Sequence, residues 1–264
     1  MVSSAFQDLT GKVALVTGSS RGIGAATALR LAQRGASVAV NYFTSAQAAE
    51  DVAEHIRSCG VKAILVKADV SQEADIKLLF QTVVDELGRI DVVFSNSGIE
   101  HFGALPAVAG EEIDHVFAVN VKAQFFVAQQ SHKHMADHGR LILMSSVSAQ
   151  KGFPGHAIYA ASKAAIQGMV RCLAFDFGSR NITVNAIAPG GVKTDMYKEA
   201  AAKYFPGGED MTEAEIDDSV SKWSPLGRPG IPEDISGVVA LLASADSQWL
   251  TGQTFQVSGG AYMV

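Results

Sequence analysis

Short runs rich in β-branched and aliphatic residues recur along this chain, and stretches of helical period separate most of them. "KVALVT" precedes 22–34, "SVAVNY" precedes 45–58 and "AILVKAD" precedes 72–87. "DVVFSN" leads into 111–136 and "RLILMSS" into 157–177, and "ITVNAIAP" and "TFQVSGG" complete the series. These runs are apolar at consecutive positions, as a strand is when both of its faces are buried. Strands of that kind joined by helices make a parallel sheet, because each crossover lays its helix over the sheet. The expected fold is α/β: a doubly wound, mostly parallel sheet with helices on both faces. Its 264 residues fit a single domain, 1–264, with one full core. Residues 194–232 depart from the rhythm. They hold "FPGGEDMTEAEIDD" and "WSPLGRPG" without a strand-like run, and an insertion of that length is expected to act as a substrate lid. Its acidic run reads most simply as a solvated helix face.

Charge narrows the partners. With 21 basic and 27 acidic side chains, a net charge of -6 and no basic run, the chain has nothing to neutralise a phosphate backbone, so no nucleic-acid partner is expected. No apolar run is long enough to span a bilayer, and "MVSSAFQDLTGKVALVTG" lacks the basic, apolar and cleavage regions of a signal peptide. Cys59 and Cys172 make no disulfide framework and fit a reducing compartment, so the expected location is cytoplasmic. "HKHMADH" brings His132, His134 and His138 close in sequence, and His134 and His138 would share a helix face. No third ligand follows at a fixed spacing and Gly139 ends the helix, so a solvated terminus is expected there and no metal.

"TGSSRGIG", 17–24, follows the first strand and opens the first helix. A glycine turn in that place lets backbone N–H groups approach a pyrophosphate at the positive end of the helix dipole, which is the Rossmann arrangement. The spacing is Gly-x-x-x-Gly-x-Gly, and by itself it is also compatible with a plain tight turn. Strand before and helix after, in the first βα unit, favour a dinucleotide. In NAD-binding versions an acidic residue about 20 positions on holds the ribose 2′-hydroxyl. "VAVNYFTS" offers Asn41, Tyr42 and Ser45 instead, with no carboxylate to repel a 2′-phosphate. Arg21 supplies a cation for that phosphate or is an ordinary solvated arginine, and the expected cofactor is NADPH. Asp69, closing the third strand, accepts from the adenine amino group with Val70 packing on the ring, or else caps the next helix with Ser71.

"YAASK" places Tyr159 and Lys163 on one face of a helix. Taken alone it reads better as a core aromatic beside a solvated lysine. A carbonyl that accepts a hydride needs a proton at oxygen, however, and a free phenol titrates near 10. Bringing it to about 7 takes roughly 4 kcal/mol of phenolate stabilisation, which a desolvated ammonium and an oxidised nicotinamide can supply. The expectation is therefore that Lys163 tunes Tyr159.

Together with "NSG" at 96–98, Ser146 thirteen residues before Tyr159, Asn120 in "VFAVNV" and "APGGVKTDM" after the sixth strand, these motifs resemble the short-chain dehydrogenase/reductase family over the whole chain. Ser97 stands where the family usually has alanine. Within the family, "SNSG", "QFFVAQQ", "GRLILMSS", "KYFPGGE" and "WSPLGRPG" resemble fungal trihydroxynaphthalene and tetrahydroxynaphthalene reductases, with anthrol and versicolorin reductases as relatives. The resemblance implies that Tyr159 donates the proton, Lys163 also bonds the nicotinamide ribose, Ser146 fixes the substrate oxygen and Asn120 holds a water leading from the lysine to solvent. It implies a cofactor held by Gly18, Ser20, Arg21, Gly22, Ile23 and Gly24 at the first turn. Further contacts would come from Asn96, Ser97 and Gly98 after the fourth strand, and from Pro189, Gly190, Val192, Thr194 and Met196 after the sixth. Ser148, His156, Gly191 and Met263 are candidates for the substrate pocket. Tyr197, Tyr204 and Trp223 are either lid aromatics that stack on a flat substrate or small packing anchors.

The reading is an NADPH-dependent ketone reductase acting on the keto tautomer of a phenolic polyketide of naphthol or anthrol type. A reductase of 3-oxoacyl or steroid ketones is the alternative enzyme, and a non-catalytic dinucleotide-binding sensor or scaffold the alternative of another class. The family resemblance further implies a homotetramer paired through 111–136 and 157–177.

Overall fold

Every expected strand forms, most of them trimmed by a residue or two at the ends: β1 (Val13–Val16), β2 (Ser37–Tyr42), β3 (Ala63–Lys67), β4 (Val92–Ser95), β5 (Arg140–Met144), β6 (Thr183–Pro189) and β7 (Thr254–Val257). The computed structural model describes residues 8–263, so residues 1–7, part of the stretch inspected for a signal peptide, lie outside the described residues. The strands make one parallel seven-stranded sheet in the order β3-β2-β1-β4-β5-β6-β7.

Period-2 geometry splits each strand between two cores. Ala14 and Val16 of β1 join a layer with α1 (Gly22–Gln33), α2 (Ala46–Ser58) and a late helix, whereas Val13 and Leu15 face α3 (Glu73–Leu87) and the helices described next. Both sets are buried, and side chains such as Leu15, Leu31 and Phe80 each contribute roughly 1.5–3 kcal/mol by leaving water. Continuous apolarity thus did report a sheet covered on both faces.

Three expectations change. The span 111–136 is not one helix: α4 (Gly110–Phe117) and α5 (Ala123–His134) flank a wide π-turn over Ala118–Lys122, which carries Asn120. A π-turn spends an extra residue without leaving the helical path, and such turns concentrate at functional sites. α5 ends at His134, and His138 sits beyond it in the left-handed region (φ 64°), so the two histidines do not share a helix face. The segment 194–232 is more ordered than its composition suggested. After α6 (Ala157–Gly178), which spans the 157–177 stretch, the chain forms α7 (Asp195–Ala200) and α8 (Glu213–Ser221), and a parallel bridge between Val192 and Gly230 closes the neck of the insertion. The sequence reading also passed over α9 (Pro232–Ala243), whose "PEDISGVVALLA" has Pro at its start and buries Ile235, Val239 and Leu242. A parallel β6–β7 pair requires such a crossover.

The chain turns to opposite sides of the sheet from β1 and β4, which neighbour each other. The crevice beyond their carboxyl ends is where ligands of open α/β sheets bind, and the loops after β1, β4, β5 and β6 surround it.

Candidate active site

The loop after β1 is shaped for an anion. Gly18 and Gly22 lie at φ +59° and +56°, a region side chains disfavour, and a Cβ at Gly24 would come within 2.4 Å of the Gly18 carbonyl oxygen and 2.7 Å of Asn96 Nδ2. Helix α1 starts with no side-chain cap and no acidic residue in its first turn, so its leading N–H groups stay open to a negative ligand. Thr17 and Asn96 lock the cradle: Thr17 Oγ1 accepts from the backbone N–H of Asn96 (2.9 Å) and Ser97 (3.1 Å), while Asn96 Nδ2 donates to the carbonyls of Thr17 and Gly18 at 2.9 and 3.1 Å. Ser20 lies in the same loop, and Ile23 packs from the first turn into the core. An open helix start and a turn closed to any Cβ fit the pyrophosphate of a dinucleotide.

The second strand's end differs from the expectation. Asn41 is buried, its Oδ1 accepts from Gly18 N–H at 3.0 Å, and its Nδ2 donates to the carbonyls of Val66 and Ala68, both at 3.2 Å. Its amide therefore stitches the glycine loop to β3, and Tyr42 and Ser45 are the neighbours left to face a ribose. Ser45 precedes α2 without making a side-chain cap. Asp69 Oδ1 accepts from Ser71 N–H at 2.9 Å in the turn ahead of α3, whose N-cap is Gln72 without a side-chain cap, and Val70 is buried beside it. Arg21 is exposed, with Nη1 3.5 Å from Asp195 at the start of α7. Across the crevice Pro189 ends β6, a Cβ at Gly190 would press on Ser258, and Thr194 caps α7 by accepting from Tyr197 N–H at 3.2 Å. Val192 is buried at the bridge and Met196 is partly exposed.

The four catalytic candidates converge beyond β4 and β5. Helix α6 puts Tyr159 and Lys163 on its buried face, and the lysine, 2% exposed, donates to the Met144 carbonyl at 3.2 Å. Its Nζ stands 5.5 Å from the centre of the Tyr159 ring. Ser146 bonds the Tyr159 hydroxyl and also accepts from Ser148 N–H at 3.1 Å. Asn120 is fully buried; its Oδ1 accepts from Ile99 N–H and its Nδ2 donates to the Ile99 carbonyl, both at 2.9 Å, and to Ser162 Oγ at 3.1 Å. A Cβ at Gly98 would lie 3.1 Å from Lys163 Nζ and 3.2 Å from Asn120 Oδ1, so only glycine leaves room for both.

Burial lowers Lys163 to about 8, partly countered by the charge of Glu100. Tyr159 moves the opposite way from the tuning expectation. Burial, then the charges of Glu100 and Tyr204, hold its phenol well above the usual value, and only the Ser146 bond works downward. The physical reason is that burial of the hydroxyl is the largest effect, and Lys163, which donates to the Met144 carbonyl, does not offset it. Such a phenol holds its proton at neutral pH, although a raised value also makes it a weaker acid.

Rings close over this centre. His156 packs at a tilt 4.6 Å from Tyr159 and 4.3 Å from Phe102, and Tyr204 meets Phe102 and Phe153 edge-on at 4.9 and 4.8 Å. Trp223 joins through Phe205 at 5.0 Å and Phe153 at 5.6 Å, with the Lys151 ammonium 4.2 Å above its ring. Tyr204 and Trp223 thus belong to one packed ring cluster beside Tyr159, and Ser148 hydrogen-bonds Tyr204. Tyr197 is the packing anchor: its hydroxyl donates to Asp217 at 2.8 Å beside Lys193, tying α7 to α8 near Gly191. Asp217 consequently faces inward from the acidic helix that read as wholly solvated. Met263 is 73% exposed over Gly260, apart from the ring cluster. Among the described residues no three His, Cys, Asp or Glu side chains converge as a metal site, and no helix is long and apolar enough to cross a membrane.

Sequence reasoning missed Glu100, Phe102 and Phe153. Glu100 is buried in this cluster, and burial, eased by Lys163, raises its carboxyl to about 7. Its signal was available: it lies just past "NSG", at the carboxyl edge of the sheet where a carboxylate has no packing role.

Comparison with known proteins agrees with this geometry. A family model described as enoyl-(acyl carrier protein) reductase matches residues 18–262. A probable tetrahydroxynaphthalene reductase of Zymoseptoria tritici is 50% identical over 256 residues, covering 97% of this chain and 96% of that protein. Versicolorin reductase 1 of Dothistroma septosporum is 48% identical over 255 residues, 96% and 97% of the two chains. The solved structure of an angucycline C-6 ketoreductase with bound NADP superposes with a TM-score of 0.86 at 37% identity, covering 96% of each chain.

Proposed function

Because the chain belongs to the short-chain dehydrogenase/reductase family, we propose that it is an NADPH-dependent reductase of phenolic polyketide ketones, with Tyr159 as the proton donor. The observation that carries this reading is the junction of Ser146, Tyr159 and Lys163 with a wall of aromatic rings at the carboxyl edge of the sheet. Flat aromatic substrates suit such a wall, since each ring contact adds about 0.5–1.5 kcal/mol beyond burial.

A nicotinamide held by the glycine loop would supply the hydride. The protein's own groups do the rest. Ser146 and Tyr159 hold the carbonyl oxygen, and the Tyr159 phenol gives it a proton as negative charge develops there. Lys163, near 8 and hydrogen-bonded inside the site, can return a proton to Tyr159. Asn120 braces the loop at Ile99 that flanks the lysine.

NADPH is favoured over NADH by Arg21 and by the lack of a carboxylate at the end of β2, and the related ketoreductase structure holds NADP. We read 1–264 as one domain with 194–232 as its lid. The exposed rings of Phe125 on α5 and Phe175 on α6 support pairing between copies through these helices, consistent with a homotetramer. Free thiols at Cys59 and Cys172 suit the cytoplasm. The test is NADPH consumption with naphthols, anthrahydroquinones, steroids and 3-oxoacyl thioesters. Turnover of the first two classes above the others is expected; preference for steroids or thioesters refutes the polyketide assignment.

A further inference from the structure

Inside the cleft stands a carboxyl group that the proton transfer to the carbonyl does not use. Glu100 Oε1 is buried and, among the described residues, has no hydrogen-bond partner, although His156 Nε2 lies only 3.3 Å away. The imidazole explains why. His156 Nδ1 lies 3.0 Å from the His101 carbonyl oxygen, which can only accept, so the ring proton sits on Nδ1. Burial holds this histidine down at about 4, so it is neutral and Nε2 is a lone pair. The Tyr204 hydroxyl, 3.2 Å away, already donates to that lone pair. An ionised Glu100 would face it with a second lone pair. A protonated carboxyl group instead offers a donor and an acceptor side by side.

We propose that Glu100 is a specificity-determining residue that hydrogen-bonds a phenolic hydroxyl flanking the carbonyl under reduction, so that hydroxylated aromatic ketones are accepted over their deoxy analogues. The inference rests on the reductase reading above. Placement supports it: Glu100 Oε1 lies 3.3 Å from His156 Nε2, and the His156 ring is 4.6 Å from that of Tyr159, so the carboxyl group stands among the rings beside the proton donor. A polar group poised for a substrate hydroxyl discriminates strongly, because the analogue lacking the hydroxyl leaves that group buried and unpaired. An aliphatic side chain at this position would make no such distinction.

The test uses the full-length protein and two ketones, a peri-hydroxylated tetralone and the tetralone without that hydroxyl. For each, kcat/KM is measured with NADPH, and the dissociation constant with NADP+ is read from quenching of tryptophan fluorescence. The wild type is expected to favour the hydroxylated ketone about tenfold or more. Glu100→Val is expected to bring the ratio to within about threefold, while Glu100→Gln, which keeps a donor and an acceptor, retains most of it. An unchanged ratio in Glu100→Val, or no preference in the wild type, overturns the proposal. A general loss of fold would depress both ketones alike and leave the ratio intact, which also counts against it. If neither ketone turns over but the binding ratio follows the expected pattern, Glu100 keeps its role and the reductase reading falls.

Discussion

Asn41 stands 23 residues after Gly18, about where NAD-binding relatives of this fold carry a ribose-binding carboxylate. Substituting Asn41→Asp would therefore be the obvious attempt to recruit NADH. The structure argues for damage instead. An aspartate keeps the acceptor for Gly18 N–H but turns its second oxygen toward the carbonyls of Val66 and Ala68, at the 3.2 Å now bridged by Nδ2. Two hydrogen bonds disappear, and the oxygen must either be protonated or face two carbonyl dipoles inside the protein. At about 1–3 kcal/mol for each buried group left unpaired, the loss is on the order of 3 kcal/mol. For a chain of this size that corresponds to a fall in Tm of about 6–12 °C. The assay is thermal unfolding of both proteins at matched concentration, together with NADPH and NADH dissociation constants. NADPH binding should weaken because the glycine loop loses its tie to the carbonyls of Val66 and Ala68, and NADH should gain nothing. A variant that melts within about 2 °C of the wild type and binds NADH better would refute the assignment of Asn41 to the loop's framework.

Tyr159→Phe removes the proton donor and keeps the ring, so turnover should fall about 100-fold or more with NADPH affinity nearly unchanged; a loss smaller than about tenfold would remove Tyr159 from the chemistry. Arg21→Gln should weaken NADPH far more than NADH, because only one of them carries the 2′-phosphate, and equal losses would show that Arg21 reads no phosphate. Glu100 makes stability depend on pH. Its carboxyl sits at about 7 in the fold against 4.5 when free, so the folded state holds the extra proton, and the associated stability is present at low pH and lost as pH rises through that window. Relative to Glu100→Gln, the wild type should lose up to about 3 kcal/mol between pH 4.5 and 7, read from denaturation midpoints; a constant difference across that range would mean that the carboxyl is ionised throughout.

What the sequence could reveal follows from how local each cause is. Burial of both strand faces is written into consecutive residues, so "SVAVNY" marks β2 at its true ends. Tyr159 and Lys163 share a helix, and their juxtaposition needs only the helical period. Asn41 depends on a residue in another loop and on two carbonyls beyond its own strand, so its role as a brace could not be read from its place in β2. The same limit applies to the direction of the Tyr159 shift. Lys163 at i+4 made a lowered phenol plausible, but two features that spacing cannot express decided the sign: the burial of the hydroxyl, and the arrival of Glu100 and Tyr204 from a separate loop and the 194–232 segment. A motif therefore identifies which residues meet, while the protonation state in which they meet is set by partners brought in through the tertiary fold. Glu100 is the case in point, since a carboxylate in sequence becomes, between Lys163, His156 and Tyr204, a group poised between its two charge states near neutrality.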